Sequence, residues 1–281
     1  DSVFFSASPL ISKRYPNIDH EDMPAMAKAI LPIAEEVQDF INNMYDLYAK
    51  RIHNVDVHRF DIKQEFIAKA GIWIAKKRYA QWVINQEGNP IDRLDVKGID
   101  VVRSNFPTAM RKFLADILQA ILENKTQHTI DEMILDFKDD MKKMDIGDIA
   151  KSTGVKNIEK HIFKDEGTIE LSKGAPAHVK AAVAYNNMLR STGNTELGEI
   201  RSGDKIKWVY LKQDRYGLGA IAFKNYDDPE IIESFIRKHI DYDMIFTREL
   251  HNKLGSFYEA LKWGEVPNHE LRQVHKFFDF T

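Results

Sequence analysis

Residues 72–84 read Ile72-Trp73-Ile74-Ala75-Lys76-Lys77-Arg78-Tyr79-Ala80-Gln81-Trp82-Val83-Ile84, and a Gly88-Asn89-Pro90 turn leads on to Leu94 and Val96. Runs rich in β-branched and aromatic residues, separated by a Gly-Asn-Pro break, predict an antiparallel β-meander. The quartet Lys76-Lys77-Arg78-Tyr79 falls inside the first strand-like run. Three cationic heads and a phenol on one short strand can line a groove, the cations against phosphates and the phenol against a sugar or base edge. The same four residues also suit a plain solvated strand face.

Upstream, Val3-Phe4-Phe5-Ser6 predicts a short strand, followed by a polar loop to about Asp22. Ile30, Ile33, Val37, Phe40, Ile41, Met44, Leu47 and Tyr48 then recur at helical spacing, with Pro24 in the opening turn and Pro32 placed to bend the helix. Ile62 and Phe66 open the strand territory. Beyond Pro107 the pattern becomes helical, over 108–124, 130–144, 175–191, 228–238 and 244–262. One strand pair interrupts the helices, Asp204–Leu211 with Ala220–Phe223. The expected class is α+β, with a first domain over 1–107, a mainly helical domain over 108–273 and a tail over 274–281.

A chain of 281 residues can bury its own cores, and the absence of cysteine excludes disulfides and thiolate metal sites. No apolar run reaches the ~20 residues of a spanning helix, so no membrane partner and a cytoplasmic setting are expected. The opening residue is Asp rather than Met, which leads us to expect a fragment, a processed product or a trimmed chain. A net charge of −3 argues against a uniformly basic coat for nucleic acid. The charge is unevenly spread, however. Residues 59–112 hold eleven lysines and arginines against six acids, a local excess of +5, whereas 131–148 is acid-rich.

Several pieces in order resemble the B-family DNA polymerases. Asp1-Ser2-Val3-Phe4-Phe5 resembles the end of the Asp-Thr-Asp-Ser hairpin of motif C, with Asp1 matching its second aspartate. The Lys76–Tyr79 quartet follows, and then Asp95-Val96-Lys97-Gly98 through Arg103-Ser104. Residues 174–190 and 201–212 resemble the family's thumb. The tail, Val274 to Thr281 with Phe277, Phe278 and Phe280, resembles the peptide by which T-even-type bacteriophage polymerases dock on a sliding clamp; it could equally fold onto its own core.

The resemblance implies the end of a polymerase palm over 1–107, built on the meander and a long helix, then a thumb and a clamp-binding tail. It implies primer-template DNA and dNTP as substrates, a phage-infected bacterial host as the setting, and Mg2+ in a two-metal site to which Asp1 contributes one carboxylate. Glu65, eleven residues before Lys76, is either the acid beneath the catalytic pair or an ion-pair partner of nearby bases. Lys77 would test the minor groove of the new duplex, with Lys76, Arg78 and Tyr79 in support and Lys97 and Arg103 on phosphates. Gly98 suits a close backbone approach or a β-bulge, and His178 a backbone contact or a structural role. Motif A, the fingers and the exonuclease carboxylates are absent from these 281 residues. Two readings stay open: part of a replicative polymerase, inactive without its N-terminal part, or a non-catalytic module that binds duplex DNA and tethers the clamp.

Overall fold

The computed structural model describes residues 3–60, 62–165, 168–172, 174–193, 197–212, 219–224 and 228–267. The chain divides into two compact units between Lys97 and Gly98.

In the first unit, residues 3–7 adopt no regular structure, so the strand expected at Val3–Ser6 is not formed. Phe4 instead turns its ring onto aromatic neighbours in the sheet. Helix α1 (Ser8–Arg14) follows within the expected loop, and α2 (Met23–His53) runs for 31 residues. Asp22 caps α2 by accepting from the Ala25 amide at 3.0 Å, and Pro24 sits in the first turn, where its missing N–H costs nothing. Asn54 closes the helix in the left-handed conformation. Ile11 of α1 packs on Ala29 and Ile33, and Arg14 forks onto Glu36 with two 2.7 Å hydrogen bonds.

The meander forms as β1 (Phe66–Ala75), β2 (Arg78–Gln86) and β3 (Asn89–Lys97), antiparallel in that order. Ile62 precedes the first strand. The second turn is Glu87-Gly88, both residues at positive φ, as a tight two-residue hairpin favours; Asn89 and Pro90 already belong to the edge strand β3, where a proline is tolerated. Ile67 and Ile84 pack against Ala27 of α2.

The second unit opens with helices α3 (Thr108–Leu122), α4 (Gln127–Asp140) and α5 (Ile146–Ile149). Leu114, Ile117, Leu118, Ile130 and Ile134 are fully buried, and Phe113 stacks on Phe137 with ring centroids 4.0 Å apart. Strand β4 (Lys151–Gly154) and the hairpin β5 (Ile162–Asp165) and β6 (Thr168–Leu171) come next, none of them expected from the sequence. Helix α6 (Ala177–Ser191) precedes β7 (Lys205–Tyr210) and β8 (Ala220–Phe223), the antiparallel pair that was expected. β4 adds to the β7 edge, and the Trp208 indole donates to Thr153 at 3.1 Å. Helix α7 (Glu230–His239), α8 (Tyr242–Phe246), a π-helical turn over Thr247–His251 and α9 (Asn252–Leu261) complete the unit. The Tyr258 hydroxyl donates to Asp131, joining α9 to α4.

Candidate nucleic-acid interface

The quartet is not a stretch of strand. Ala75 pairs with Arg78, so Lys76 and Lys77 are the two loop residues of the β1–β2 hairpin, and only Arg78 and Tyr79 lie in β2. Lys77 occupies the left-handed region at φ 62°. That conformation costs a side-chain-bearing residue about 1 kcal/mol or more, which is why sequence patterning alone reads a strand there. Both lysines are exposed, while Arg78 and Tyr79 are half-buried. Among the described residues, none of Lys76, Lys77 and Arg78 is held in an ion pair.

The ladder then assembles a row across the sheet. Trp73 of β1 stands opposite Tyr79 of β2, and Tyr79 stands opposite Lys97 of β3. The Trp73 and Tyr79 rings stack with centroids 6.5 Å apart, and Phe4 meets both edge-on at 5.5 and 5.3 Å. The Trp73 ring also lies back over Gly71, where an added Cβ would come within 2.6 Å of it. Gly71 is therefore the residue that lets the indole lie flat on its strand. One end of the meander thus joins two unpaired lysines to a three-ring aromatic platform, with Lys97 at its border. Lys97 also bonds Asp95 at 3.1 Å, which leaves it partly neutralised.

Phe4 and Trp73 were not among the sequence-predicted site residues. The signal that places Trp73 is the register: a two-residue turn at 76–77 brings the third residue before it close to the second after it. No comparable signal places Phe4.

The other predicted residues stand as follows. Glu65 is exposed just ahead of β1, and its carbonyl accepts from the Glu87 amide at 3.0 Å. Gly98, at φ 66°, begins the second unit. In that unit Arg103 is exposed and bonded to Asp100 at 3.0 Å. His178 lies in the first turn of α6, its pKa held below the usual histidine range by burial first, then by the positive charges of Lys151 and His161. The same surroundings favour the neutral imidazole over the charged one. Asp1, Phe277, Phe278 and Phe280 lie outside the described residues. Among the described residues no three Asp, Glu or His side chains come together in a way that could hold a metal ion, so Glu65 by itself does not amount to a Mg2+ site. No helix among them is long and apolar enough to cross a membrane.

The meander thus ends in a cationic turn beside an aromatic platform. Comparison with known proteins supplies the class: DNA polymerase family B matches residues 32–261, and the chain belongs to that family. It is 27% identical to the catalytic subunit of DNA polymerase alpha from Saccharomyces cerevisiae over 59% of this chain and 11% of that protein. It is 22% identical to the DNA polymerase alpha catalytic subunit of Mus musculus over 83% of this chain and 14% of that protein. A DNA polymerase of Thermococcus aggregans is 27% identical over 58% of this chain and 7% of its own length. The chain therefore spans a small part of the curated relatives it matches.

Proposed function

We propose that this chain is the end of the palm and the thumb of a replicative DNA-directed DNA polymerase, of the type found in T-even-type bacteriophages, and that it grips the newly made primer-template duplex. The observation that carries this is the end of the meander, where unpaired Lys76 and Lys77 project beside the Phe4–Trp73–Tyr79 platform within a chain that belongs to the family. Every correct base pair presents an acceptor in the minor groove, purine N3 or pyrimidine O2, whatever the sequence. An exposed turn lysine can meet that acceptor and test pair geometry without reading the base. Arg78 and Lys97 lie on the flanking strands, where they can meet phosphates. Arg103 and His178 serve the duplex from the thumb. Nucleotidyl transfer belongs to the assembled enzyme, in which the N-terminal part supplies motif A, the fingers and the rest of the Mg2+ site around Asp1. The tail from Val274 to Thr281 docks on the sliding clamp.

Titration of duplex DNA at increasing salt tests the grip. The chain should bind without sequence preference, and Lys76, Lys77 and Arg78 changed together to Ala should lower the slope of log affinity against log salt by about 2 to 3. An unchanged slope would place the duplex elsewhere. Primer extension tests the catalytic half: none from the chain alone, restored by the N-terminal part. Duplex binding with no restored extension would leave the non-catalytic module as the function.

A further inference from the structure

The first unit leaves a helix face uncovered. Up to Ala34, α2 lays Ala27 against Ile67 and Ile84 of the sheet and Ala29 and Ile33 against Ile11. Beyond Ala34 only Ala49 is buried. The second half of the helix nevertheless carries Phe40, Met44, Leu47 and Tyr48, which are 65%, 49%, 47% and 56% exposed. Their spacing, i, i+4, i+7 and i+8, puts all four on one stripe of the helix. Such a stripe is the pattern of a helix that docks against another protein surface, because large apolar residues in register otherwise remain in water at a cost of roughly 2 kcal/mol each. All four stripe residues lie inside the region shared with the family, and the matched relatives carry the part they share with this chain within much longer chains, of which it is at most 14%.

We infer that the Phe40–Tyr48 stripe of α2 is the docking surface for the N-terminal part of the same polymerase, joined to this chain in cis or supplied in trans. The inference rests on the polymerase function proposed above and names the surface on which the two parts assemble. The occupant is polypeptide rather than DNA, since the stripe is apolar and its aromatic members are followed by Ile52, Val55 and Val57, also exposed.

A test changes Phe40 to Ser and Met44, Leu47 and Tyr48 each to Gln in the full chain. The probe is the recombinant N-terminal part, bearing motif A and the fingers. The parent should bind it and restore primer extension. The quadruple variant should lose about 100-fold or more in affinity for it, as when several anchors of one interface are removed. Its melting temperature and its salt-dependent duplex binding should match the parent's. If parent and variant restore extension equally at limiting concentration, the docking surface is wrong and the polymerase function stands. If the parent itself never restores extension, the polymerase function fails. A drop in melting temperature would show that the stripe belongs to the chain's own core. A parent dimer that becomes monomeric in the variant would show that a second copy covers it. Either result overturns the inference.

Discussion

The two units bury their apolar side chains to very different degrees. Of the eighteen large hydrophobic side chains left exposed among the described residues, fifteen precede Gly98 and three follow it, although the second unit is the longer. The second unit closes around fully buried Leu114, Ile117, Leu118, Ile130 and Ile134. The first unit has two small clusters, around Ile33 and around Ile67 with Ile84. It also holds a half-open cleft of about 840 Å3, lined by Phe4, Met26, Ile30, Phe66 and Trp73 among others. The buried Gln64 side-chain nitrogen, also in that lining, finds no partner there. The second unit buries its large apolar side chains, whereas the first leaves many of its own in water.

The sharpest way to break this contrast is to cut one large apolar side chain back to alanine in each unit. Leu118→Ala removes fully buried atoms between helices that cannot fully collapse, and should cost about 3 kcal/mol in denaturant unfolding. Phe40→Ala in α2 should stay within about 0.5 kcal/mol in the isolated chain, since a side chain in water has little packing to lose. Comparable losses from the two would mean that the first unit is as complete as the second.

A smaller effect is expected from the ion pair that ties β4 to the π-helical turn. The Lys151 ammonium meets Glu249 at 2.9 Å, with the carboxylate almost wholly buried and the lysine one-third exposed. Lys151→Ala leaves that carboxylate without its counter-charge, and should cost about 2 kcal/mol, less than for a fully buried pair because water reaches the lysine side. The double change Lys151→Met with Glu249→Leu should recover most of that loss. If the single change has no effect, the turn is held by packing alone.

Both of these features show where the sequence was legible and where it was not. The meander was legible because apolar alternation and a Gly-containing turn are local signals. The helices of the second unit were legible because their buried faces repeat every three to four residues. Strand β4 was not, since Lys-Ser-Thr-Gly has no apolar alternation and becomes a strand only by pairing with β7. The stripe of α2 was legible as helix periodicity, but periodicity records an apolar face without saying what covers it. The Trp73–Tyr79–Lys97 row depended on register, which a turn shifted by two residues changes for every pair. Both hairpin turns were displaced or missed because Lys77 and Glu87 occupy a conformation that residue type argues against.

Acid and alkali should also separate the units. His178 has its pKa lowered on folding, so its contribution is present above the unfolded value near 6.5 and is lost as pH falls below it. Tyr185 and Tyr258 are raised, chiefly by burial, so theirs is present below about 10 and lost as pH rises past it. All three lie in the second unit. Its melting transition should therefore weaken from pH 7 toward pH 5 and again above pH 10, and His178→Gln should flatten the acid limb alone. An acid limb that survives this substitution belongs to other groups.

The smallest effect concerns a single turn residue, and it bears on why the first unit holds a lysine where glycine would sit more easily. Lys77 at φ 62° gives up about 1 kcal/mol to its left-handed backbone. Glycine would relieve that but would lose about 0.5 kcal/mol to the greater freedom of the unfolded chain. Lys77→Gly should thus stabilise the first unit by roughly 0.5 kcal/mol. If the lysine is kept for its charge, the same change should lower the salt slope of duplex binding by about 0.9, one phosphate's worth. Lys77→Asn, which tolerates the left-handed region and also lacks the charge, should lower the slope by the same amount. A more stable variant with an unaltered slope would mean that Lys77 only turns the chain, and would move the duplex contact to Lys76 and Arg78.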